Sequence, residues 1–541
     1  MIHRKNGLHF SKKLGLGGVA FLGLGLGAQA LAAPHHIAVA TDTLASSSAN
    51  CVFPDGTSPD EDALHCYNPT QFLQAYGIDK VHAMGLTGKG QTIILVDSYG
   101  SPTLQKDLDH FSDTFGLPHT TIEFIYPDGT YVNPLTTDDE VGWAGETTLD
   151  LEWAHAIAPD ATLVNIVSNS DEVTGMSGMQ DLFNGIQTAI QKYPGAIVSM
   201  SFGTGEGTFT SDEAKTYLQG SLHQILQQAT TAGMTLLASS GDQGSANANT
   251  ADTSLESFAD ASYPATDPLI TAVGGSAIEA GWTWTPQGTA DDIWNCRLDN
   301  AILQSNHQSP KKCPMDFLLS ASTPGSLLET VWKEDWAPAA GGGGVSTVFA
   351  APDYQSGLNA NVQKIANGHR AIPDLAMNAA INGGVETYQS YVVPGQKTQA
   401  PSWQVVGGTS CASPETAGLI ALAGQEVSQE LGKPAGVGAL NPILYSLGAR
   451  DFNDIVPQTF GVNQQVTIDN NAYYFGAAAL QLLPPKDATP VQVPGYFTLP
   501  GYDLATGLGS PHAADFVMDV AHARVAIEGT GLINQTRLSE R

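Results

Sequence analysis

The stretch that decides the fold is QTIILVDSYGSPTLQKDLDHFSDTFG, residues 91–116. It opens with a short apolar run rich in β-branched residues, which is typical of a buried strand. Ser101 and Pro102 then offer a cap and a first-turn proline for a helix. Apolar side chains recur at helical spacing from Leu104 to Phe115, and Gly116 ends the helix. The stretch therefore predicts a strand that leads into a helix.

The same alternation continues downstream. The predicted strands cover 162–168, 196–201, 234–239 and 270–273, and the predicted helices cover 180–192 and 221–232. This order of strands and helices predicts an α/β fold, with a mostly parallel sheet that carries helices on both faces. Ligands bind at the carboxyl ends of the strands in such sheets, so motifs that follow strands are the first candidates for a site.

Composition narrows the class of protein. Hydrophobic residues make up 42% of the 541 residues and charged residues only 14%, which excludes an acidic disordered chain. The 53 acidic and 22 basic side chains give a net charge of −31. Nucleic acid and anionic membranes are therefore not expected as partners. The charge fits either a merely soluble surface or a protein that works in acid, where carboxylates are protonated.

The chain divides into five predicted parts. Residues 1–33 carry basic residues, an apolar Gly/Leu run and an Ala-rich end, a pattern that predicts a signal peptide, with a retained anchor as the alternative. Residues 34–65 are predicted to be an extension or linker. The main domain is expected at 66–520, with an insertion loop at 281–340, and residues 521–541 form a tail. We therefore expect a secreted protein, extracellular or periplasmic.

The cysteines suit an exported protein, in which disulfides can form. Their spacing suggests that Cys51 pairs with Cys66 and Cys296 with Cys313, while Cys411 is left over. The spacing does not resemble that of a zinc site, and no histidine cluster accompanies it.

The motif GGTSCASP, residues 407–414, precedes an apolar, Ala-rich helical segment that runs to about Gly432. Ser410 would lie at the start of this helix, where backbone N–H groups and the helix dipole favour a developing oxyanion. A serine that only caps the helix is the ordinary alternative.

A serine nucleophile needs a base, and the sequence has no His-Gly-Thr string to provide one. The stretch GETTLDLE, residues 145–152, instead places Glu146 and Asp150 four positions apart, on one helical face. Two carboxyl groups that share a proton can relay it to or from a hydroxyl in acid. The alternative is that Glu146 and Asp150 lie on a solvent-exposed acidic face of the helix, although the apolar residues around them make full exposure less favourable.

A third acid follows an apolar strand in LLASSGDQG, residues 236–244. Asp242 in this Gly-flanked position could simply form an Asx-turn. If it stays protonated, it can instead donate a hydrogen bond to an oxyanion, and it loses that ability when it ionises. Such a donor would require an acidic working pH.

These three motifs, in this order and without His-Gly-Thr, resemble the sedolisin family of serine-carboxyl peptidases. The resemblance extends over roughly residues 66–520 and implies a subtilisin-like fold. It implies that Ser410 is the nucleophile and Glu146 the general base and acid. It further implies that Asp150 orients Glu146 and that Asp242 belongs to the oxyanion hole.

The resemblance also implies one Ca²⁺ site in the C-terminal part of the chain. The matching positions give side-chain oxygens from Asp454 and Asp503 and carbonyl oxygens from Ile455, Leu499 and Gly501. Calcium prefers such oxygen ligands. Leu499 stands where relatives often have glycine, which matters little if only its carbonyl binds.

Three features depart from the family pattern. The family usually has a long propeptide, and here only about thirty residues separate the predicted signal from the catalytic pattern, so self-activation by loss of a prodomain is not expected. Asp97 stands where a glutamate is often found, and Phe202 where a tryptophan is often found. We expect Asp97 to have a supporting role only.

The expected function is hydrolysis of peptide bonds in polypeptides at acidic pH by a secreted monomer. We expect an endopeptidase, with an aminopeptidase that releases short peptides as the alternative. A neutral subtilase that uses a histidine elsewhere, for example His155, is a second reading. A catalytically inactive secreted binding protein with the same fold is a third.

Overall fold

The computed structural model describes residues 51–57, 66–247, 256–280, 282–286, 317–321, 327–334, 339–381, 383–395, 402–456, 458–460, 464–466, 472–474, 491–493 and 495–539. The predicted signal peptide, most of the 34–65 extension and the Cys296 and Cys313 pair lie outside these residues. The disulfide between Cys51 and Cys66 is confirmed, and Cys411 is a free, buried thiol.

A large sheet of eight strands forms the centre of the fold. Its strands, in chain order, are β1 Thr92–Ser98, β2 Glu123–Ile125, β3 Thr162–Ser168, β4 Ile197–Met200, β5 Thr235–Ser239, β6 Thr271–Ala280, β7 Leu327–Val331 and β8 Leu375–Asn378. The spatial order is β7-β6-β5-β4-β1-β3-β2, and β8 also pairs with β6. Every pairing is parallel except that of β7 with β6. The predicted parallel sheet is confirmed.

The helices lie mostly between these strands in the sequence. They are α1 Pro69–Tyr76, α2 Ile78–Ala83, α3 Leu104–Phe115, α4 Asp138–Ile157, α5 Met176–Lys192, α6 Ser211–Glu213, α7 His223–Thr231, α8 Ala360–Ala366, α9 Thr409–Leu431, α10 Asn441–Leu444 and α11 Ala513–Ser539. A π-helical stretch, Ala214–Leu222, joins α6 to α7. The predicted boundary between residues 520 and 521 falls inside α11. Within the described residues, no helix has both the length and the apolar character that a membrane crossing requires.

Short strands form several smaller sheets around the large one. A three-stranded sheet contains Cys66–Tyr67, Gly384–Gln389 and Ser402–Val406, and two-stranded pairs join Thr204–Gly205 to Ser262–Tyr263, Gly344–Ala350 to His369–Ile372, Lys333–Glu334 to Ala339–Ala340, Phe452–Asn453 to Ser510–Pro511, Trp282–Pro286 to Phe317–Ala321, Gln458–Phe460 to Gln464–Val466 and Ala472–Tyr474 to Val491–Val493. The predicted insertion at 281–340 therefore contributes β7 to the large sheet, as well as two short strand pairs.

Both faces of the sheet are buried. Ile93 and Leu95 of β1 belong to one apolar cluster, and Ile94 and Val96 belong to the other. Alternate side chains of a strand point to opposite faces, so a strand that is covered on both sides needs apolar residues at every position. This explains the continuous apolar run from which the strand was predicted.

The helix after β1 begins later than predicted. Tyr99 and Gly100 turn the chain through left-handed backbone, with φ of 59° and 65°, and α3 begins only at Leu104. Ser101 and Pro102 lie in this turn and not in the helix. The end at Gly116 is confirmed, with a left-handed φ of 69°.

Helices α4 and α9 lie on the same face of the sheet and pack closely. A Cβ atom added to Gly418 of α9 would lie 2.5 Å from Cβ of Ile157 in α4. Only glycine permits this approach, because real side-chain carbons do not come so close. The contact brings together the helix that carries the carboxylates and the helix that carries the serine.

Candidate active site

Ser410 is the second residue of α9 and is fully buried. Gly408 precedes the helix with φ of 112°, a backbone conformation that is unfavourable for residues other than glycine. This residue turns the chain from the strand Ser402–Val406 into the helix. The serine therefore lies at a helix N-terminus, where the unpaired N–H groups and the dipole favour negative charge.

Ser201 connects Asp150 of α4 to the first turn of the Ser410 helix. Pro414 has no N–H, so the carbonyl of Ser410, four residues earlier, receives no helical hydrogen bond from it. The hydroxyl of Ser201, just beyond β4, contacts that carbonyl at 3.2 Å and Oδ1 of Asp150 at 2.9 Å. Ser201 thus links Asp150 directly to the backbone of Ser410.

The carboxylates of α4 lie in a buried, acidic environment. Glu146 and Asp150 are both buried, one helical turn apart, as predicted. Burial, followed by the nearby charges of Asp97 and Glu146, raises the pKa of Asp150 well above its ordinary value. Burial also raises the pKa of Asp97 to about 7, although Asn165 donates to this carboxylate at 2.5 Å. Asp150 and Asp97 are therefore expected to be protonated at acidic pH.

Asp242 contacts the residue next to the serine. Its Oδ1 accepts hydrogen bonds from the backbone N–H and the hydroxyl of Thr409, each at 2.8 Å. Among the residues that the structure describes, its Oδ2 has no hydrogen-bond partner, although it is fully buried. Burial raises the pKa of Asp242 to about 6. A protonated Oδ2 is thus available as a donor.

The arrangement can perform acyl transfer. It combines a hydroxyl at a helix N-terminus, a pair of coupled carboxyl groups and a neutral acid donor. The structure brings Asp150 and Asp242 to the first turn of α9 through Ser201 and Thr409 respectively. Glu146 lies on the same helix as Asp150 and interacts with it electrostatically.

His155 is not placed with this group. It is nine positions beyond Glu146 on α4, which is about half a turn around the helix. Its Nε2 lies 2.8 Å from the carbonyl of Pro118, and burial lowers its pKa. Its ring contact is therefore with the loop after α3.

The predicted calcium ligands converge on one short segment. The N–H of Gly501 donates to Oδ2 of Asp454 at 2.8 Å, and the N–H of Leu499 donates to Oδ2 of Asp503 at 2.9 Å. Burial raises the pKa of both aspartates, to about 7 for Asp503. Asp503 is buried and Asp454 is exposed, and carboxyl oxygens of this kind, joined by backbone carbonyls, are the ligands that Ca²⁺ prefers. Ile455, the remaining predicted ligand, is buried beside Asp454.

Another group of ligand-type side chains does not fit a metal. Cys51, Cys66 and Glu386 have sulfur and oxygen atoms close together. The two cysteines form the disulfide, so they offer no thiolate to an ion.

Three residues near the site were not predicted from the sequence. In the sequence, Ser201 has no role beyond the end of a predicted strand, and Thr409 is included only as part of the serine motif. Glu172, in a short 3₁₀ turn after β3, is buried, and Asp171 and Glu146 contribute to the rise of its pKa after burial itself. The signal that could have indicated Ser201 is Pro414, which donates no hydrogen bond to the Ser410 carbonyl.

Comparisons with known proteins indicate the family to which the chain belongs. The model of the subtilase family matches residues 141–440, more than half of the chain. Kumamolisin from Bacillus sp. (strain MN-32) is 29% identical over 452 residues, which cover 82% of this chain and 62% of kumamolisin. Sedolisin from Pseudomonas sp. (strain 101) is 28% identical over 370 residues, 68% of this chain and 52% of sedolisin. The chain therefore covers less than two thirds of the length of these relatives.

A solved structure of Pseudomonas sedolisin, a serine-carboxyl proteinase in complex with two molecules of pseudo-iodotyrostatin, superimposes with a TM-score of 0.52. The match has 22% identity and covers 87% of this chain and all of the other, which confirms the subtilisin-like fold. By its family match, its relatives and its fold, the chain belongs to the subtilase family and, within it, to the sedolisins.

Proposed function

We propose that this chain is a serine-carboxyl peptidase that hydrolyses peptide bonds of polypeptides at acidic pH. The observation that carries the proposal is that two buried acids contact the first turn of the Ser410 helix. Asp150 does so through Ser201, and Asp242 does so through Thr409. Family membership supports the serine-type chemistry.

The proposed reaction has two halves. Oγ of Ser410 attacks the scissile carbonyl carbon, and its proton passes to Glu146 while Asp150 holds Glu146 in place. The C–N bond then breaks as Glu146 returns the proton to the leaving amine, which leaves an ester on Ser410. Water attacks the ester, Glu146 takes a proton from it, and the C–O bond to Ser410 breaks as this proton returns to Oγ.

Asp242 would stabilise both tetrahedral intermediates. Its protonated Oδ2 donates to the oxyanion, which develops near the start of α9. Because burial raises the pKa of Asp242 to about 6, the donor is present below that pH and is lost above it. Acidic operation therefore follows from the donor itself.

A bound Ca²⁺ would be held by the side chains of Asp454 and Asp503 and by carbonyl oxygens of Ile455, Leu499 and Gly501. The ion supplies positive charge that offsets two partly or fully buried carboxylates. The ligands would then join the segment that begins at Asp454 to the loop that leads to Asp503. The proposed role of the site is stability of this loop, and no catalytic step passes through it.

The remaining proposals concern the whole protein. Residues 1–33 are a signal peptide and the mature protein is secreted, residues 66–520 form the peptidase domain, and the enzyme is a monomeric endopeptidase. The acidic composition fits an acidic compartment outside the cytoplasm.

The test is digestion of a peptide library and of an unfolded protein between pH 3 and pH 8. We expect cleavage near pH 3–4 that disappears in Ser410→Ala and Glu146→Gln, with Asp212→Asn, an exposed acid, as the control. Internal cleavage supports an endopeptidase, and release of short N-terminal peptides supports the aminopeptidase alternative. Activity that rises through pH 7–8 would favour a histidine base.

A peptide aldehyde forms a hemiacetal with an active serine and provides a second readout. Binding by the wild type but not by Ser410→Ala supports the nucleophile. Absence of both cleavage and aldehyde binding at every pH would identify the inactive binding protein.

A further inference from the structure

A cavity of about 360 Å³ lies at the amino ends of the central strands. Residues 90–92, 194–196 and 232–233, which lead into the parallel strands β1, β4 and β5, form three of its walls. The segment after α9 and one face of α11 form the others. Ser410 lies at the opposite ends of these strands, since the residues that contact its helix follow β4 and β5. The cavity is therefore separate from the active site, and its volume falls within the range of small-molecule sites, about 300–1,000 Å³.

Hydrogen bonds and a close glycine contact fix the walls of this cavity. Nε2 of Gln91 donates to the carbonyl of Ala435 at 3.2 Å. The N–H of Gly195 donates to the carbonyl of Ala232 at 3.0 Å. A Cβ atom added to Gly436 would lie 2.3 Å from the carbonyl oxygen of Gly195, so only glycine allows these two turns to touch. The cavity is thus formed before any ligand enters it.

The charged side chains that line the cavity, among the described residues, form one network. Nζ of Lys433 lies 2.5 Å from Oε1 of Glu528, and Nη2 of Arg524 lies 2.8 Å from Oε2 of the same carboxylate. Two cations therefore share one anion, and the network carries a net charge of +1. An arginine has five N–H donors and a lysine has three, and each of these contacts uses one. Donors remain on both cations for a second anion.

The positive charge of the cavity is local. The chain as a whole carries a net charge of −31. Charges farther away than about 8 Å are largely screened in 0.15 M salt, so the groups of the cavity itself decide which ions bind there. Hydrogen bonds from Lys433 and then from Arg524 hold the pKa of Glu528 below its ordinary value. The network therefore keeps its net positive charge at pH 5.5.

The other walls suit hydroxyl groups better than rings. They consist of glycine, alanine and proline residues together with Gln91 and Thr92. Glycines leave peptide N–H and C=O groups uncovered, and such groups bond to hydroxyls. Within the described lining residues there is no aromatic side chain on which a nucleobase could stack. A free oxyanion is also much smaller than the cavity, so the walls indicate a ligand with a polar body attached to its anionic group.

We propose that this cavity binds a small phosphorylated molecule rich in hydroxyl groups, such as a sugar phosphate. The phosphate lies between Lys433 and Arg524, and the hydroxyl groups face the peptide groups of the glycine-rich walls. Arginine matches the oxygens of a phosphate with two parallel N–H donors, and lysine adds a point charge. The site does not depend on the proposed function, because no proposed catalytic residue lines the cavity.

Isothermal titration calorimetry of the full chain with Ser410→Ala tests the site at pH 5.5. We expect saturable binding of glucose 6-phosphate, weaker binding of inorganic phosphate and no binding of glucose. Arg524→Gln should weaken the binding of glucose 6-phosphate by roughly tenfold or more, because a hydrogen bond to a charged group is lost. Arg450→Gln is the matched control, since Arg450 pairs with Asp519 of the same helix but does not line the cavity.

Glu528→Gln should change the affinity in the opposite direction. Without its carboxylate the two cations have no internal anion, so the affinity for glucose 6-phosphate should rise roughly fivefold. A gain in affinity cannot result from a damaged fold, so this variant decides the matter even if Arg524→Gln does not fold.

The outcomes are distinct. Absence of saturable binding of both glucose 6-phosphate and inorganic phosphate at millimolar concentration overturns the site. Equal affinity for the two phosphates overturns the role of the hydroxyl groups and assigns the cavity to the free anion. Equal weakening in Arg524→Gln and Arg450→Gln, or no gain in Glu528→Gln, places the anion elsewhere on the protein. None of these measurements involves peptide cleavage, so failure of the proposed function would leave them unchanged.

Discussion

The backbone N–H and the hydroxyl of Thr409 both donate to the same oxygen of Asp242, each at 2.8 Å. An oxygen that accepts two such bonds is a poor place for a proton. The proton of a neutral Asp242 therefore belongs on Oδ2, the oxygen without a partner among the described residues. Oδ2 is thus the oxygen that can donate, while the two hydrogen bonds to Oδ1 fix the orientation of the carboxyl group.

Asp242→Asn tests this division of roles. The amide oxygen can accept both bonds from Thr409, and the NH₂ group then takes the place of Oδ2 as a donor that does not ionise. We expect the variant to keep part of the activity and to lose the decline that the wild type shows as pH rises through about 6. Asp242→Ala has no donor and should lose about 10²- to 10³-fold in kcat.

The measurement is kcat/KM from pH 3 to pH 8 on one peptide. The sign follows from the raised pKa: the neutral donor is present below it and disappears above it. An alkaline limb in Asp242→Asn that coincides with that of the wild type would assign the decline to another group.

Ser201→Ala tests the link between Asp150 and the serine helix. The variant removes the hydroxyl that contacts both the Ser410 carbonyl, to which Pro414 donates no hydrogen bond, and Oδ1 of Asp150. We expect kcat to fall about tenfold, because one hydrogen bond to a charged or coupled group contributes about 1.5 kcal/mol or more. Ser201→Thr, which keeps the hydroxyl, should restore most of the activity.

Ser199→Ala is the matched control. Its hydroxyl lies 2.8 Å from that of Ser413, so it also joins β4 to α9, but this partner is a hydroxyl and not an acid. We expect a similar loss of stability in urea without a change in the pH profile. Equal kinetic effects of the two substitutions would mean that Ser201 acts only through packing.

The parallel sheet could be predicted because a strand that is covered on both faces is apolar at every position, as in the run from Ile93 to Val96. The chemistry could be predicted because each motif is local: Glu146 and Asp150 share a helix, and Ser410 follows its glycines directly. The contacts that join these motifs in space could not be predicted from the sequence. Ser201 and Ser410 are separated by 209 residues, and only the three-dimensional packing of β4 against α9 brings them together.

The positions of element ends also depended on tertiary structure. The start of α3 moved to Leu104 because Tyr99 and Gly100 adopt left-handed backbone, which the cap and proline pattern did not reveal. The long strand β6 extends to Ala280, well past the predicted end at 273, because β7 from the insertion pairs with its second half. Long-range pairing of this kind has no local signal.

Removal of calcium should loosen the loop that contains Leu499 and Gly501. With no cation, Asp454 accepts from the N–H of Gly501, and Asp503 accepts from the N–H of Leu499 and from the N–H and hydroxyl of Thr506. We expect Ca²⁺ to raise Tm in a Ser410→Ala background, in which self-digestion cannot interfere. At 100 times the dissociation constant the gain is about 2.7 kcal/mol.

Mg²⁺ provides the control, since it requires a tighter octahedral site and should stabilise less. Asp454→Asn removes one charged ligand from an exposed position and should abolish most of the gain without lowering Tm in chelator. Equal stabilisation of Asp454→Asn and of its parent by Ca²⁺ would place the ion elsewhere.

Glu415 makes the stability of the fold depend on pH. It is fully buried in α9, its Oε1 receives a weak donor from the Cys411 thiol at 3.0 Å, and its Oε2 has no partner among the described residues. Burial raises its pKa well above the ordinary value. In the unfolded chain the group ionises near pH 4.3, whereas in the folded protein it stays neutral. Its contribution is thus complete below about pH 4.3 and is lost as pH rises towards the folded pKa.

Glu415→Gln keeps the shape of the side chain but cannot ionise. In the Ser410→Ala background we expect the free energy of unfolding in urea to fall less steeply between pH 4.5 and pH 6.5, by about 1.4 kcal/mol per pH unit. Some slope should remain, because Glu152 and Glu172 are also buried acids whose pKa burial raises. Asp212→Asn should leave the slope unchanged. If Glu415→Gln and its parent have parallel profiles, Glu415 is already ionised in the folded protein, and a cation or a donor must compensate its charge.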